Sequence, residues 1–192
     1  MNLDLIDTNP KFSGFFKVWK TNKQTGESIL SVDKKNTILY TGADLLAKAL
    51  AGEKYSKISH FYISYCDAIT TPSITAVDRT PTSFEYTDPG QDGHYGYGSV
   101  PLTIPAGFLR STTDYVNNVV IFTIMMPSIH SIQEQIGLEF EDGCKIFEAG
   151  LVAASSSIPA AFDPVFARVK FNPVEYDSTF NLTISWGVQF IA

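Results

Sequence analysis

Hydrophobic and polar residues alternate most regularly over Phe180–Phe190. There Phe180, Leu182, Ile184, Trp186, Val188 and Phe190 are interleaved with Asn181, Thr183, Ser185, Gly187 and Gln189. A period of two predicts a half-buried strand, apolar side inward and polar side outward. Val116–Met126 is apolar on both parities. That pattern belongs to a central strand, or to one whose second face meets a partner. Gly14–Lys20 alternates more loosely, with Phe16, Val18 and Lys20 opposing Phe15 and Trp19, and Asn22–Gly26 then leads into Glu27–Val32. Two extended runs around a Gly-containing turn cluster predict a β-hairpin. Thr37–Tyr40 is a short apolar piece, and Ile58–Cys66 is a further β-rich run. Cys144–Ala153 reads as a strand interrupted at Gly150, and Val165–Phe171 as a strand broken by Asn172-Pro173.

A helical period occurs at Gly42–Ala51, where Leu45, Leu46, Ala49 and Leu50 form one apolar face. Thr41 is a suitable N-cap, Asp44 completes a capping box, and Gly52 supplies the C-terminal stop. Between Asp67 and Tyr115 the chain is crowded with Thr, Pro, Gly and Tyr, and Pro72, Pro81, Pro89, Pro101 and Pro105 deny it a long helix or a central strand. Short edge strands fit Thr82–Thr87 and Val100–Ile104, and a helical turn fits Ile132–Ile136. The expected fold class is mainly β: an antiparallel β-sandwich or jelly-roll-like barrel of seven to nine strands, with one short α-helix at about residues 42–51. Residues 1–12 are expected as an N-terminal arm. Residues 13–192 form a single domain with a long insertion at about 67–115.

Composition narrows the function. The chain has 192 residues, 44% hydrophobic, 18% charged and 13% aromatic, with a net charge of −6. Low charge with many aromatics is the opposite of a disordered segment. Lys and Arg nowhere form the basic stripe that would grip phosphates, so nucleic acid is not an expected partner. The longest apolar run, Val119–Met126, is far too short to span a bilayer, so no membrane partner is expected. The acidic opening, broken at Asn9-Pro10, does not look like a secretory signal. Cys66 and Cys144 are expected as buried free thiols in a protein made in a reducing cytoplasm.

Candidate chemistry is sparse. His60, His94 and His130 have no His or Cys at ligand spacing, so they read as ordinary surface or partly buried histidines and no metal is expected. There is no nucleophile elbow, phosphate loop or dinucleotide fingerprint, and no catalytic residue or cofactor is assigned. Glu85, Asp88 and Asp92 lie with Tyr86, Tyr95 and Tyr97, a grouping that permits sugar stacking or paired-carboxylate chemistry. Glu139, Glu141 and Asp142 make a second acidic patch. Both groups read foremost as solvated loop charge, and Asp88–Asp92 lacks the alternating oxygen ligands of a calcium loop. The run His94-Tyr-Gly-Tyr-Gly98 is either an interface loop, since Tyr gives large contact area at low entropy cost, or packing against its own domain.

Three segments in order resemble small sandwich proteins of tailed-bacteriophage virions, those of tail, neck, baseplate and fibre attachment. The first is Asn36-Thr-Ile-Leu-Tyr-Thr-Gly-Ala-Asp-Leu-Leu-Ala-Lys-Ala-Leu-Ala-Gly52, similar to an N-x-I opening followed by L-L-A-x-x-L-A-G. The second, Ile146-Phe-Glu-Ala-Gly-Leu151, is similar to I-x-E-A-G-L. The third joins Phe166-Ala-Arg-Val-Lys-Phe-Asn-Pro173 to Asp177-Ser-Thr-Phe-Asn-Leu-Thr-Ile-Ser-Trp186 and Val188-Gln-Phe190. Phe61-Tyr-Ile-Ser-Tyr-Cys-Asp-Ala68 departs from the Gly-rich tip common in such proteins.

The resemblance implies a non-enzymatic virion protein that binds itself, as a trimer or hexamer, and neighbouring virion proteins. A capsid-decorating role is the runner-up, and a module binding a glycan receptor is the alternative of another class. Val119, Ile121, Tyr86, Tyr95 and Tyr97 are the candidate interface residues. Thr41, Asp44, Glu148, Gly150, Arg168 and Trp186 are expected to maintain the fold, with Glu148 accepting hydrogen bonds from backbone or Arg168, Gly150 permitting a bulge, and Trp186 filling the core.

Overall fold

A computed structural model describes residues 11–54, 57–66, 95–101, 110–116, 118–126, 142–153 and 164–191. Along these residues the chain forms β1 (Lys11–Asn22), β2 (Ser28–Lys35), β3 (Thr37–Ile38), α1 (Tyr40–Ala51), β4 (His60–Cys66) and β5 (Tyr95–Pro101). It continues through β6 (Arg110–Val116), β7 (Val119–Met126), β8 (Cys144–Val152), β9 (Val165–Tyr176) and β10 (Phe180–Ile191). The strands build two antiparallel five-stranded sheets, ordered β2-β1-β10-β7-β6 and β3-β9-β8-β4-β5. This is a β-sandwich with one short helix. It has ten strands among the described residues, one more than the upper bound expected from sequence.

The alternating segment is β10, the middle strand of the first sheet. Its inward residues Leu182, Ile184, Trp186 and Val188 are buried. Trp186 meets Phe16 of β1 edge-on at 5.1 Å between ring centres and reaches Phe61 of the second sheet at 6.2 Å. Phe16 in turn stacks on Phe171 of β9 at 5.0 Å. These aromatics join the two sheets through the core, and each fully buried ring contributes roughly 2–3 kcal/mol.

Turn chemistry fixes the register. In the β1–β2 hairpin, Asn22 Oδ1 accepts from the amides of Gln24 and Thr25, and Gly26 takes φ 72°. Between β9 and β10, Asp177 Oδ1 accepts from Thr179 and Phe180, while Asp142 Oδ1 accepts from Ser178 across the sandwich end.

Several expectations need correction. β1 begins at Lys11, inside the segment assigned to the arm. β8 runs unbroken through Gly150, and its irregularities lie to either side, at Ile146/Glu148 and Leu151/Val152. β9 does not end at Asn172-Pro173 but continues to Tyr176. Pro173 is tolerated because the ladder passes from Ile146↔Val174 to Glu148↔Lys170, leaving Phe171–Pro173 in a bulge where no ladder amide is required. Val100–Ile104 shifts to β5, and β6 also falls inside the supposed insertion; both are edge strands. The expected Thr82–Thr87 strand and the Ile132–Ile136 turn lie outside the described residues.

The helix is also built differently at its start. It opens at Tyr40 after an extended Leu39 (φ −80°, ψ 164°), with no side-chain cap. Thr41 is already inside the first turn, and its hydroxyl donates to the Val165 carbonyl at 2.5 Å. Asp44 pairs instead with Lys48, at 2.7 Å, and raises the pKa of that ammonium by hydrogen bond and charge. Leu39 N donates to Phe166 O, so α1 is docked on β9 rather than capped. Leu45 is buried, but Leu50 is 89% exposed and lies off the core face. Gly52 ends the helix in the left-handed region, at φ 70°.

Candidate interaction surface

The outer faces of the two sheets differ. On the second sheet, Phe61 and Ile63 point into the core, so His60 and its register partner Val152 fall on the outer face, as does Glu148. All three are nonetheless buried. His60, read from sequence as a surface or partly buried histidine, is 3% exposed, and its Nδ1 lies 2.8 Å from Ser59 Oγ. Cys66 also lies on this outer side, opposite Lys145, whereas Cys144 belongs to the core. Neither thiol is in a disulfide, and both are buried, neighbours in register but on opposite faces.

Glu148 anchors a charge cluster on this face. Arg168 donates from Nε at 2.8 Å and from Nη2 at 2.5 Å to Oε1, and Lys170 Nζ lies 3.8 Å from Oε2. A carboxylate this buried is tolerable because its negative charge is met by two cations. Gly150 stands beside it, level with Arg168 of β9 and Tyr62 of β4. Trp186 is fully buried in the core.

The first sheet presents a different outer face. Its register sets residues in rows across the strands. One row runs Lys35, Phe15, Gly187, Ile121 and Asp114. The next holds Asp33, Lys17, Ser185, Thr123 and Thr112, and the one beyond it Leu30, Trp19, Thr183, Met125 and Arg110. Phe15 lies across Gly187, where a Cβ would collide with the ring, so that glycine is buried although its neighbours face outward. Lys17 pairs with Asp33 at 3.5 Å and stands over the Phe15 ring, 5.8 Å from its centre. Thr123 and Ser185 share a hydrogen bond of 3.0 Å. Phe15, Trp19, Val119 and Ile121 are half-buried, while Leu30 and Met125 are 46% and 39% exposed.

Val119 and Ile121 therefore sit on the outer face of an interior strand, beside Gln189 and Gly187. The double parity of Val116–Met126 resolves into Phe122, Ile124 and Met126 inward and a partly exposed apolar row outward. Phe15, Trp19, Leu30 and Met125 complete that row. Nothing in their local sequence points to Val119 and Ile121, since β1 and β7 meet only through β10. Tyr95 and Tyr97 occupy β5, an edge strand rather than a loop, paired with Cys66 and Ser64. Tyr86, Glu85, Asp88, Asp92, His94 and His130 lie outside the described residues.

A separate apolar cavity of about 300 Å³ lies under α1, lined by Leu45, Leu46, Ala49, Ile58, Phe122 and Phe166, with Lys57 at its rim. Among the described residues no group of His, Cys, Asp and Glu could hold a metal ion, and no helix is long and apolar enough to cross a membrane. No known protein family, curated protein or solved structure matches the chain.

Proposed function

We propose that the protein is a non-enzymatic structural protein of a tailed-phage virion, assembling with itself and with neighbouring tail, neck or fibre-adaptor proteins. The observation that carries this reading is the outer face of the first sheet, where Phe15 and Ile121 in one row and Trp19 and Met125 in another leave partly exposed apolar surface on either side of the Lys17 row. A surface of that kind is suited to being covered by protein.

The segments that resemble virion proteins support the same reading, because several of their polar residues tie distant parts of the fold together. Asn36 Nδ2 donates to Gly187 O at 3.1 Å, Thr41 to Val165 O, and Arg168 to Glu148. Gly42 lets α1 approach the Phe166 carbonyl, where any Cβ would collide. Segments far apart in sequence thus form one framework.

Mass spectrometry of phage particles purified from the source strain tests the proposal. Tens of copies or fewer per particle are expected. Hundreds of copies would favour capsid decoration, and absence from particles would overturn the virion reading.

A further inference from the structure

We infer that the outer face of the first sheet docks on the same face of a second copy of this chain, about a two-fold axis running along β10. This inference rests on the assembly role proposed above and names the partner of that surface.

The register makes the face self-complementary. A two-fold axis along the middle strand lays each row on the same row of the second copy with the strand order reversed. Phe15 then meets Ile121 of the second copy, and Trp19 meets its Met125. Lys35, at one edge, meets the register position of Asp114 at the opposite edge of the second copy. Near the axis stand Thr183, Ser185 and Gly187, small residues that let two sheets approach to the usual stacking distance. The alternative two-fold axis, perpendicular to the strands, would set Lys17 against Lys17 and Asp33 against Asp33. It would also set Lys35 against Leu30 and the register position of Asp114 against that of Arg110, so the paired Lys35→Glu and Asp114→Lys variants below test which axis is used.

Area is consistent with a stable pair. Five strands about 4.8 Å apart, over about eight residues of 3.4 Å, give roughly 650 Å² per copy. The total of roughly 1,300 Å² falls within the range of specific interfaces. Among the described residues the outer side of the second sheet is more covered, since His60, Cys66, Glu148 and Val152 there are already buried.

Sedimentation equilibrium of the purified full chain tests this directly. A dimer, or an even-numbered assembly of dimers, is expected. Ile121→Arg should yield a monomer of unchanged circular dichroism, while Leu50→Arg on the exposed helix face should leave the dimer intact. Lys35→Glu should weaken association about tenfold or more, and Asp114→Lys in the same chain should restore it.

A monomer at every concentration, an odd-numbered assembly, or a dimer indifferent to Ile121→Arg in a folded chain would overturn the inference. The virion reading stands or falls separately, on particle composition. A monomer found in particles removes the dimer alone, and a dimer missing from particles removes the virion role alone.

Discussion

Gly187 and Phe15 show how one missing side chain shapes a surface. The ring occupies the space a Cβ would need, and Lys17 closes over it. Because the ring is half-exposed, it can swing away. Gly187→Ala is therefore expected to cost only about 1 kcal/mol in urea unfolding, near the lower end of overpacking penalties. In a Phe15→Ala background the same change should be close to neutral, a coupling that a double-mutant cycle will register. Glu148 is the contrasting case. Glu148→Ala strands Arg168 and Lys170 beside a buried hole, with an expected loss of about 3 kcal/mol. Replacing the pair together, by Glu148→Leu with Arg168→Met, should cost less, and thermal melts of the three variants will rank them. Tyr176 is fully enclosed, and burial pushes its phenol far above the usual tyrosine range, with a smaller push from Cys144. The unfolded chain releases that proton first, so stability should hold below about pH 10 and fall as pH rises beyond it. Urea unfolding of the protein and of Tyr176→Phe at successive alkaline pH values should show a shallower fall in the variant.

At the scale of the element, α1 separates what local sequence encodes from what distant partners decide. The apolar spacing and the Gly52 stop lie within the helix and are legible there. The N-terminus is set instead by β9, whose Val165 carbonyl takes the Thr41 hydroxyl and whose Phe166 carbonyl takes the Leu39 amide. No local pattern reports those carbonyls. Thr41→Ala should thus destabilise by about 1 kcal/mol through a lost tertiary hydrogen bond. Asp44→Ala should change stability by no more than about 0.5 kcal/mol, since its pair with Lys48 is exposed. Gly42→Ala is the sharper test. Helix propensity favours alanine by about 1 kcal/mol, but contact with the Phe166 backbone should make the variant less stable, and chemical denaturation decides the sign. The strands divide in the same way. β10 was legible because its alternation reflects exposure, which each residue carries by itself. The passage of β9 through Pro173 was not, because the bulge exists only in register with β8.

For the whole molecule, the candidate surface was half legible. Apolar residues on both parities of Val116–Met126 marked Val119 and Ile121, because a strand with two apolar faces must cover both. The join to Phe15 and Trp19 could not be read, since it passes through a strand more than 160 residues further on. Low charge overall likewise hides a division of labour: on the outer side of the second sheet His60, Cys66, Glu148 and Val152 are buried, while the outer side of the first keeps Leu30 and Met125 exposed.

That join also governs when the protein can fold. β10 is the central strand of the first sheet, yet among the described strands it comes last in chain order. A ribosome adding about 5–20 residues per second releases β1 on the order of ten seconds or more before its partner exists. During that interval Phe16 and Val18 have no sheet to enter, and the β1–β2 hairpin alone is marginal. The second sheet is in the same position, since its interior strand β9 ends at Tyr176, shortly before β10 begins. At that rate β9 and β10 follow each other within a few seconds, so each sheet gains its last interior strand at nearly the same time and the face offered to a neighbour appears only as the sandwich closes.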